Sequence, residues 1–416
     1  MESGPFQWSG KDERMDLIER FLSYVAIDTC SKEDSPTCPS TEHQFELGRK
    51  LAKELTDLGA KNARVDEHCY VYAEIPANTE GQPVIGLIAH MDVVNCVPSA
   101  NIRPRRLRYE GGDIVLNEDQ NIVMKAADNP RLAGQVGHEL IVTDGTTLLG
   151  ADDKAGVAEI MALAEYLLTH PEFPHGTVKI GFTPDEEIGR GADLFDVHGF
   201  GADFAYTVDG DMPCGIEYEN FNAAAALVVL HGHSVHPGSA KGLMVNAIKL
   251  GMQFNSLLPA HAVPEATEGY EGFFHLKSFT GEEETAELRY IIRDHDAEKF
   301  ELKKEQMRNA AAAMNLIYGE GTVSLTIREQ YRNMKEIIAQ HPDVVARAEE
   351  AIRKAGLSPV SVPVRGGTDG ARLCYMGLPC PNLGTGGANY HGTHEYADVD
   401  EMRKILDILK EIVRAR

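Results

Sequence analysis

Basic side chains are scarce in this sequence, and long apolar runs are missing. Of 416 residues, 40 are Lys or Arg against 64 Asp or Glu, a formal charge of −24. Duplex nucleic acid is bound by neutralising phosphates with Lys and Arg, so this balance argues against nucleic acid as a partner. It argues against an anionic membrane surface for the same reason. No stretch approaches the roughly 20 apolar residues that span a bilayer. The first 14 residues have neither the basic start nor the apolar segment of a secretory signal, so a cytoplasmic location is expected. Cysteine is sparse and unpaired in pattern: positions 30, 38, 69, 96, 214, 374 and 380, with no CxxC. Neither a disulfide framework nor a thiolate zinc site is expected, and the thiols should be reduced.

What is present describes an ordinary globular protein, 43% hydrophobic and 25% charged, long enough for more than one domain. Apolar positions at helical spacing predict helices over 16–27, over 43–59 with a stop at Gly59, and over 154–168. Apolar runs of strand length occupy 83–90, 140–150, 177–183 and 203–209. Strands alternating with helices predict an α/β fold, a mainly parallel sheet flanked by helices. The texture changes near Asn220. Strands at 222–235, 286–296 and 322–331, with helices over 239–258 and 298–317, predict an inserted α+β domain over 221–333. Residues 1–220 and 334–416 would then form one discontinuous domain. Residues 98–139 read as an irregular β excursion.

The chemistry gathers where the apolar runs end. His90 and Asp92 follow the first run, Asp152 and Asp153 the second, Asp185, Glu186 and Glu187 the third, and Asp209 the fourth. Ligands bind at the carboxyl ends of strands in open α/β sheets. His90 and Asp92, two apart on an extended chain, face the same way, so an imidazole can bind a cation while a carboxylate orients it. Glu186 beside Glu187 offers one carboxylate for a cation and one as general base. His391, His394 and Glu395 add a further cluster near the C-terminus. Each cluster alone fits a surface turn or a helix cap. Converging on one rim, so many carboxylates would repel one another unless cations held them.

These motifs carry a family resemblance. His90-Met-Asp92, Gly150-Ala-Asp152-Asp153-Lys-Ala-Gly, Thr183-Pro-Asp-Glu186-Glu187-Ile-Gly and Tyr206-Thr-Val-Asp209-Gly resemble the M20 metallopeptidases. Asn222, Val235-His236-Pro-Gly, Val245-Asn246-Ala, Tyr290-Ile-Ile-Arg293-Asp and Arg365-Gly-Gly-Thr-Asp-Gly-Ala resemble its tripeptide-aminopeptidase branch, from about residue 15 onward. After Asp92 the chain reads Val-Val-Asn-Cys-Val-Pro, where that branch would carry a Thr.

The resemblance implies a catalytic domain of zinc-exopeptidase type with a lid or dimerisation-type insert, hence a homodimer as one arrangement. It implies two zinc ions bridged by Asp152, one also held by His90 and Asp209, the other by Glu187 and His391. Asp92 would orient His90, and Glu186 would be the general base. His236, Asn246, Arg293 and Arg365 would bind substrate, with Arg293 suited to a peptide carboxylate and His236 to an oxyanion. A cis peptide after Asp152 is also implied. The substrates would be small peptides with a free N-terminus, tripeptides above all. The competing readings are a related dipeptidase, carboxypeptidase or N-acyl amino acid deacylase, a non-catalytic scaffold of the same fold, and a cysteine hydrolase using Cys96 or Cys214.

Overall fold

The computed structural model describes residues 15–416. The stretch behind the localisation reading, residues 1–14, lies outside the described residues. Among those described, no helix is long and apolar enough to cross a membrane. All seven cysteines are free thiols.

The main sheet has eight strands. Its centre is parallel and runs Val178–Thr183, Ile85–His90, Phe204–Gly210, Asn382–Gly384. Strand Ile85–His90 is buried at all six positions, as expected for a strand covered on both faces. Beyond the centre the sheet becomes mixed. Val71–Ile75 pairs antiparallel with Val178–Thr183 and with Lys61–Val65, and Gly215–Glu217 pairs antiparallel with Asn382–Gly384. Val360–Ser361 closes the far edge in parallel with Gly215–Glu217. "Mainly parallel" therefore describes the middle of the sheet, where the site lies.

Helices Leu17–Val25 and Gln44–Leu58 form where periodicity predicts them. The second ends at Gly59, whose φ of 96° takes the left-handed conformation that suits a helix stop. Helix Ala151–Thr169 packs against the strands Ile85–His90 and Phe204–Gly210. Gly156 allows that approach: a Cβ there would stand 1.9 Å from the Val208 carbonyl oxygen.

The run at 140–150 departs from expectation. Its strand, Glu139–Val142, does not join the main sheet. It pairs with Arg105–Arg108 and Tyr396–Asp398 in a separate four-stranded sheet. Asp152 and Asp153 are thus delivered by a helix start rather than by a strand end of the main sheet. Periodicity could not distinguish these, because both begin with a short apolar run.

A second sheet has its own apolar core, built on Val228, Leu230, Phe254, Leu288, Ile292 and Met307. Its order is Phe273–Gly281, Thr285–Asp294, Asn222–His231, Val323–Tyr331, all antiparallel. Helices Ala247–Ser256 and Ala297–Tyr318 cover one face. The helix expected over 239–258 begins only at Ala247, because Asn246 caps it by accepting the Lys249 N–H at 3.1 Å.

Glu159, in the middle of helix Ala151–Thr169, is fully buried with neither carboxyl oxygen hydrogen-bonded. Burial alone pushes its pKa well above the ordinary value, so the folded state retains a proton the unfolded chain gives up. Stability from this group is present below an unfolded pKa of about 4.3 and is lost as pH rises toward the folded value, at about 1.4 kcal/mol per pH unit. Glu159→Gln removes that slope. Denaturant unfolding over a pH series rising from the carboxylate range should show the variant gaining steadily on the parent, and parallel pH profiles would refute this role of Glu159.

Candidate metal centre and active site

Five separate elements meet at the carboxyl end of the parallel strands. His90 is the last residue of its strand. Asp209 is the penultimate residue of Phe204–Gly210. Asp152 and Asp153 open the long helix, joined by a cis peptide bond. Glu186 and Glu187 lie in a single helical turn just after Thr183. His391, with φ of 61°, follows the short strand Gly387–Ala388 and closes the site from above.

Asp152 is the hub. Its Oδ1 meets His90 Nε2 at 2.8 Å, and its Oδ2 meets His391 Nε2 at 3.1 Å. His90 Nε2 also lies 3.4 Å from Asp209, and His391 Nε2 3.0 Å from Glu187. One carboxylate is therefore shared between two triads, His90–Asp152–Asp209 and His391–Asp152–Glu187. The donor atoms of His90, Asp152 and Glu187 lie within 4.8 Å of one another, as do those of His90, Asp153 and Asp209. Such nitrogen and carboxylate donors suit a divalent cation of borderline character, and the site could hold one on each side of Asp152. A third such group, His138, Asp398 and Asp400, is a helix cap in which Asp398 accepts the Asp400 and Glu401 N–H groups.

The electrostatics show how tightly this cluster needs positive charge. Burial and then the Asp152 charge push Glu187 up to about 8. Burial pushes Asp209 to about 6. Burial opposes ionisation of Asp152 too, but hydrogen bonds from His391 and His90 hold it well below the carboxylate range. Hydrogen bonds to Asp152 and Glu187 raise His391 to about 11. Glu186 is pushed well above its usual range, first by burial and then by its carboxylate neighbours.

Positioning groups surround these donors. His90 Nδ1 faces the Asp92 carbonyl oxygen at 3.0 Å, with the Asp92 carboxylate at 3.5 Å. That carboxylate also accepts the backbone N–H of Glu186 at 2.9 Å and of Glu187 at 3.2 Å. Asp92 thus holds two elements of the site at once. Asp153 accepts the His90 N–H at 3.1 Å and ties the helix start to the strand end. Glu395, part of the C-terminal cluster noted in the sequence, accepts the N–H groups of Leu149, Gly150 and Asp152 at 2.7–3.0 Å. It shapes the backbone that presents Asp152. No spacing rule could assign those partners, which lie some 245 residues away in sequence.

The proposed substrate residues divide. Arg293 lines a cleft of 1010 Å³ together with Glu186, Glu187 and His391. It lies over the Tyr331 ring, and its Nη1 donates to the Ala224 and Ile292 carbonyls. His275, Lys277, Arg289 and Arg328 of the second sheet's domain line the same cleft, and Arg372 adds a further cation on the side of the metal-binding residues. His236, Asn246 and Arg365 are not brought into this cleft. His236 is exposed and accepts the Gly238 N–H, and Asn246 caps a helix. Arg365 donates to Gly269, Glu271 and Thr267 and stacks on Phe221 and Phe273, so it pins the loop 267–271. The thiols named in the cysteine-hydrolase reading fit no nucleophile: Cys96 bonds to the His391 carbonyl oxygen, and among the described residues no imidazole is hydrogen-bonded to Cys96 or Cys214.

Fold and site together define a hydrolase with a carboxylate-rich metal centre, and the comparisons agree. The chain belongs to peptidase family M20/M25/M40, whose model matches residues 138–415. It is 51% identical over 403 residues to the peptidase T of Geobacillus kaustophilus, covering 96% of this chain and 98% of that one. Among solved structures it resembles an aminopeptidase PepT from Bacillus cereus, with a TM-score of 0.74, 25% identity, and 95% and 97% of the two chains covered. A tripeptidase from Staphylococcus aureus has the same fold, with a TM-score of 0.76 at 24% identity over 95% and 96% of the chains. The protein is an enzyme, a peptidase of this family.

Replacing Glu395 with Ala would leave three buried backbone N–H groups unpaired at about 1–3 kcal/mol each. Denaturant unfolding of Glu395→Ala is expected to show a loss of at least about 3 kcal/mol.

Proposed function

We propose that this protein is a dizinc aminopeptidase that removes the N-terminal residue of tripeptides. The observation that carries the reading is the sharing of the Asp152 carboxylate by His90 and His391, with Asp209 and Glu187 beside them. One zinc would be held by His90, Asp209 and Asp152, the other by Asp152, Glu187 and His391. When bound, the pair supplies Lewis acidity, lowering the pKa of a water toward about 7 and drawing charge from the scissile carbonyl.

The chain's own residues do the rest. Glu186 is next to Glu187 yet absent from both triads, which suits it to take the proton of the attacking water. Its raised pKa favours passing that proton on to the leaving amine nitrogen. Arg293, on the opposite wall of the cleft, would receive the carboxylate at the other end of the peptide, with a guanidinium face that can bond both oxygens. The span between Arg293 and the metal centre would set the preferred length. Residues 221–333 would act as a lid on the domain made of 1–220 and 334–416, and His236 and Asn246 would enter only as the lid moves toward the metal centre. Arg365 is better assigned to holding loop 267–271 than to substrate.

Three measurements test this reading. Glu186→Gln should lower kcat about 10²- to 10⁴-fold with zinc content unchanged, and normal turnover would refute the assignment of the base. Chelation should abolish activity and added zinc restore it. Across a series of di-, tri- and tetrapeptides with free N-termini, kcat/KM should peak at three residues. A flat profile would dismiss the length-setting role of Arg293.

A further inference from the structure

Asp185 immediately precedes Glu186 and takes no part in the metal cluster. It is fully buried, and its φ of 59° lies in the left-handed region that non-glycine residues seldom enter. Its carboxylate is saturated by three residues. Ser40 donates its N–H at 2.7 Å and its hydroxyl at 2.5 Å, Gln44 its side-chain amide at 2.8 Å, and Arg190 Nη2 at 3.2 Å. Arg190 closes the loop on itself, its N–H bonded to the Asp185 carbonyl at 3.0 Å. Its guanidinium also reaches the Ser35 and Thr37 carbonyls. The turn carrying Glu186 and Glu187 is thus gripped on both sides, by Asp92 at its amides and by the 35–44 segment through Asp185.

From this we propose that Asp185 is a positioning residue, which holds the left-handed bend that sends Glu186 and Glu187 to their separate tasks. In a regular helix or strand, successive side chains diverge by the fixed angle of that structure. A left-handed residue followed by a tight helical turn sets a different divergence, and here it leaves Glu187 against His391 at 3.0 Å and Glu186 free of both triads. A bend of this kind is unfavourable for a residue other than glycine and persists only where its surroundings hold it. Four donors on one buried carboxylate, three of them from Ser40 and Gln44 more than 140 residues away in sequence, supply that hold. The inference rests on the roles proposed above for Glu186 and Glu187.

The test uses full-length, zinc-loaded enzyme. Asp185→Asn keeps the volume but weakens the charge-assisted bonds. It is expected to lower kcat for a tripeptide about 10-fold or more at saturating zinc, with KM within about 2-fold of the parent. Zinc titration, which does not depend on turnover, should show the weaker of the two affinities reduced about 10-fold, because Glu187 is displaced. Ser40→Ala and Gln44→Ala each remove one donor and should lower kcat by about 3-fold or more in the folded protein. They carry the test if Asp185→Asn does not fold. Combining Ser40→Ala with Asp185→Asn should cost little more than Asp185→Asn alone, since both act through one link. Variants with normal thermal midpoints, kcat within 2-fold of the parent and unchanged zinc affinity would overturn the proposal. Glu186→Gln is the control: if it too retains turnover, the proposed role of the base fails, and if it alone is inactive, only the role of Asp185 fails.

Discussion

The structure depends on the mutual repulsion of carboxylates brought into one dry place. Asp152 and Glu187 offer oxygens within 4.8 Å of a His90 nitrogen and of each other, as do Asp153 and Asp209, and little water screens them there. Only positive charge can hold such a group together. Two imidazoles aimed at opposite oxygens of Asp152 mark where that charge resides. Everything nearby keeps the donors from relaxing apart, from the Asp92 and Glu395 carboxylates on backbone amides to the contact of Gly156 with the Val208 carbonyl.

That contact explains why the spacing of the site is a property of the backbone. Helix Ala151–Thr169 lies directly on the strand that bears Asp209, so the distance between Asp152 and Asp209 is set by main-chain packing. Side-chain rotamers decide only how the donors point. The two histidines are likewise fixed at their bases, His90 by the end of a fully buried strand and His391 by a left-handed turn.

Much of the centre was legible in the sequence because each donor sits in a short polar motif closing an apolar run. His90, Glu187 and Asp209 could be placed on one rim by that pattern alone, and the family resemblance supplied their pairing. The rest was hidden for a physical reason. Glu395 and Asp153 act by accepting from backbone N–H groups far away in sequence, and a backbone amide has no letter code. The strand and helix start at 140–156 form as read, but a strand's residues do not announce which sheet they will join. Arg365, named through resemblance, has its donors occupied by a neighbouring loop, and only coordinates reveal such satisfaction.

The cleft also has a built-in polarity. Glu186 and Glu187 line it beside the metal centre, and Arg289, Arg293, Arg328 and Lys277 line it from the second sheet's domain, in a molecule whose net charge is −24. A short peptide in neutral water is itself a dipole, with an ammonium at one end and a carboxylate at the other. The cationic side chains of Arg289, Arg293 and Arg328 would draw the carboxylate end toward themselves, and a peptide entering that way would leave its ammonium end toward the metal-binding groups.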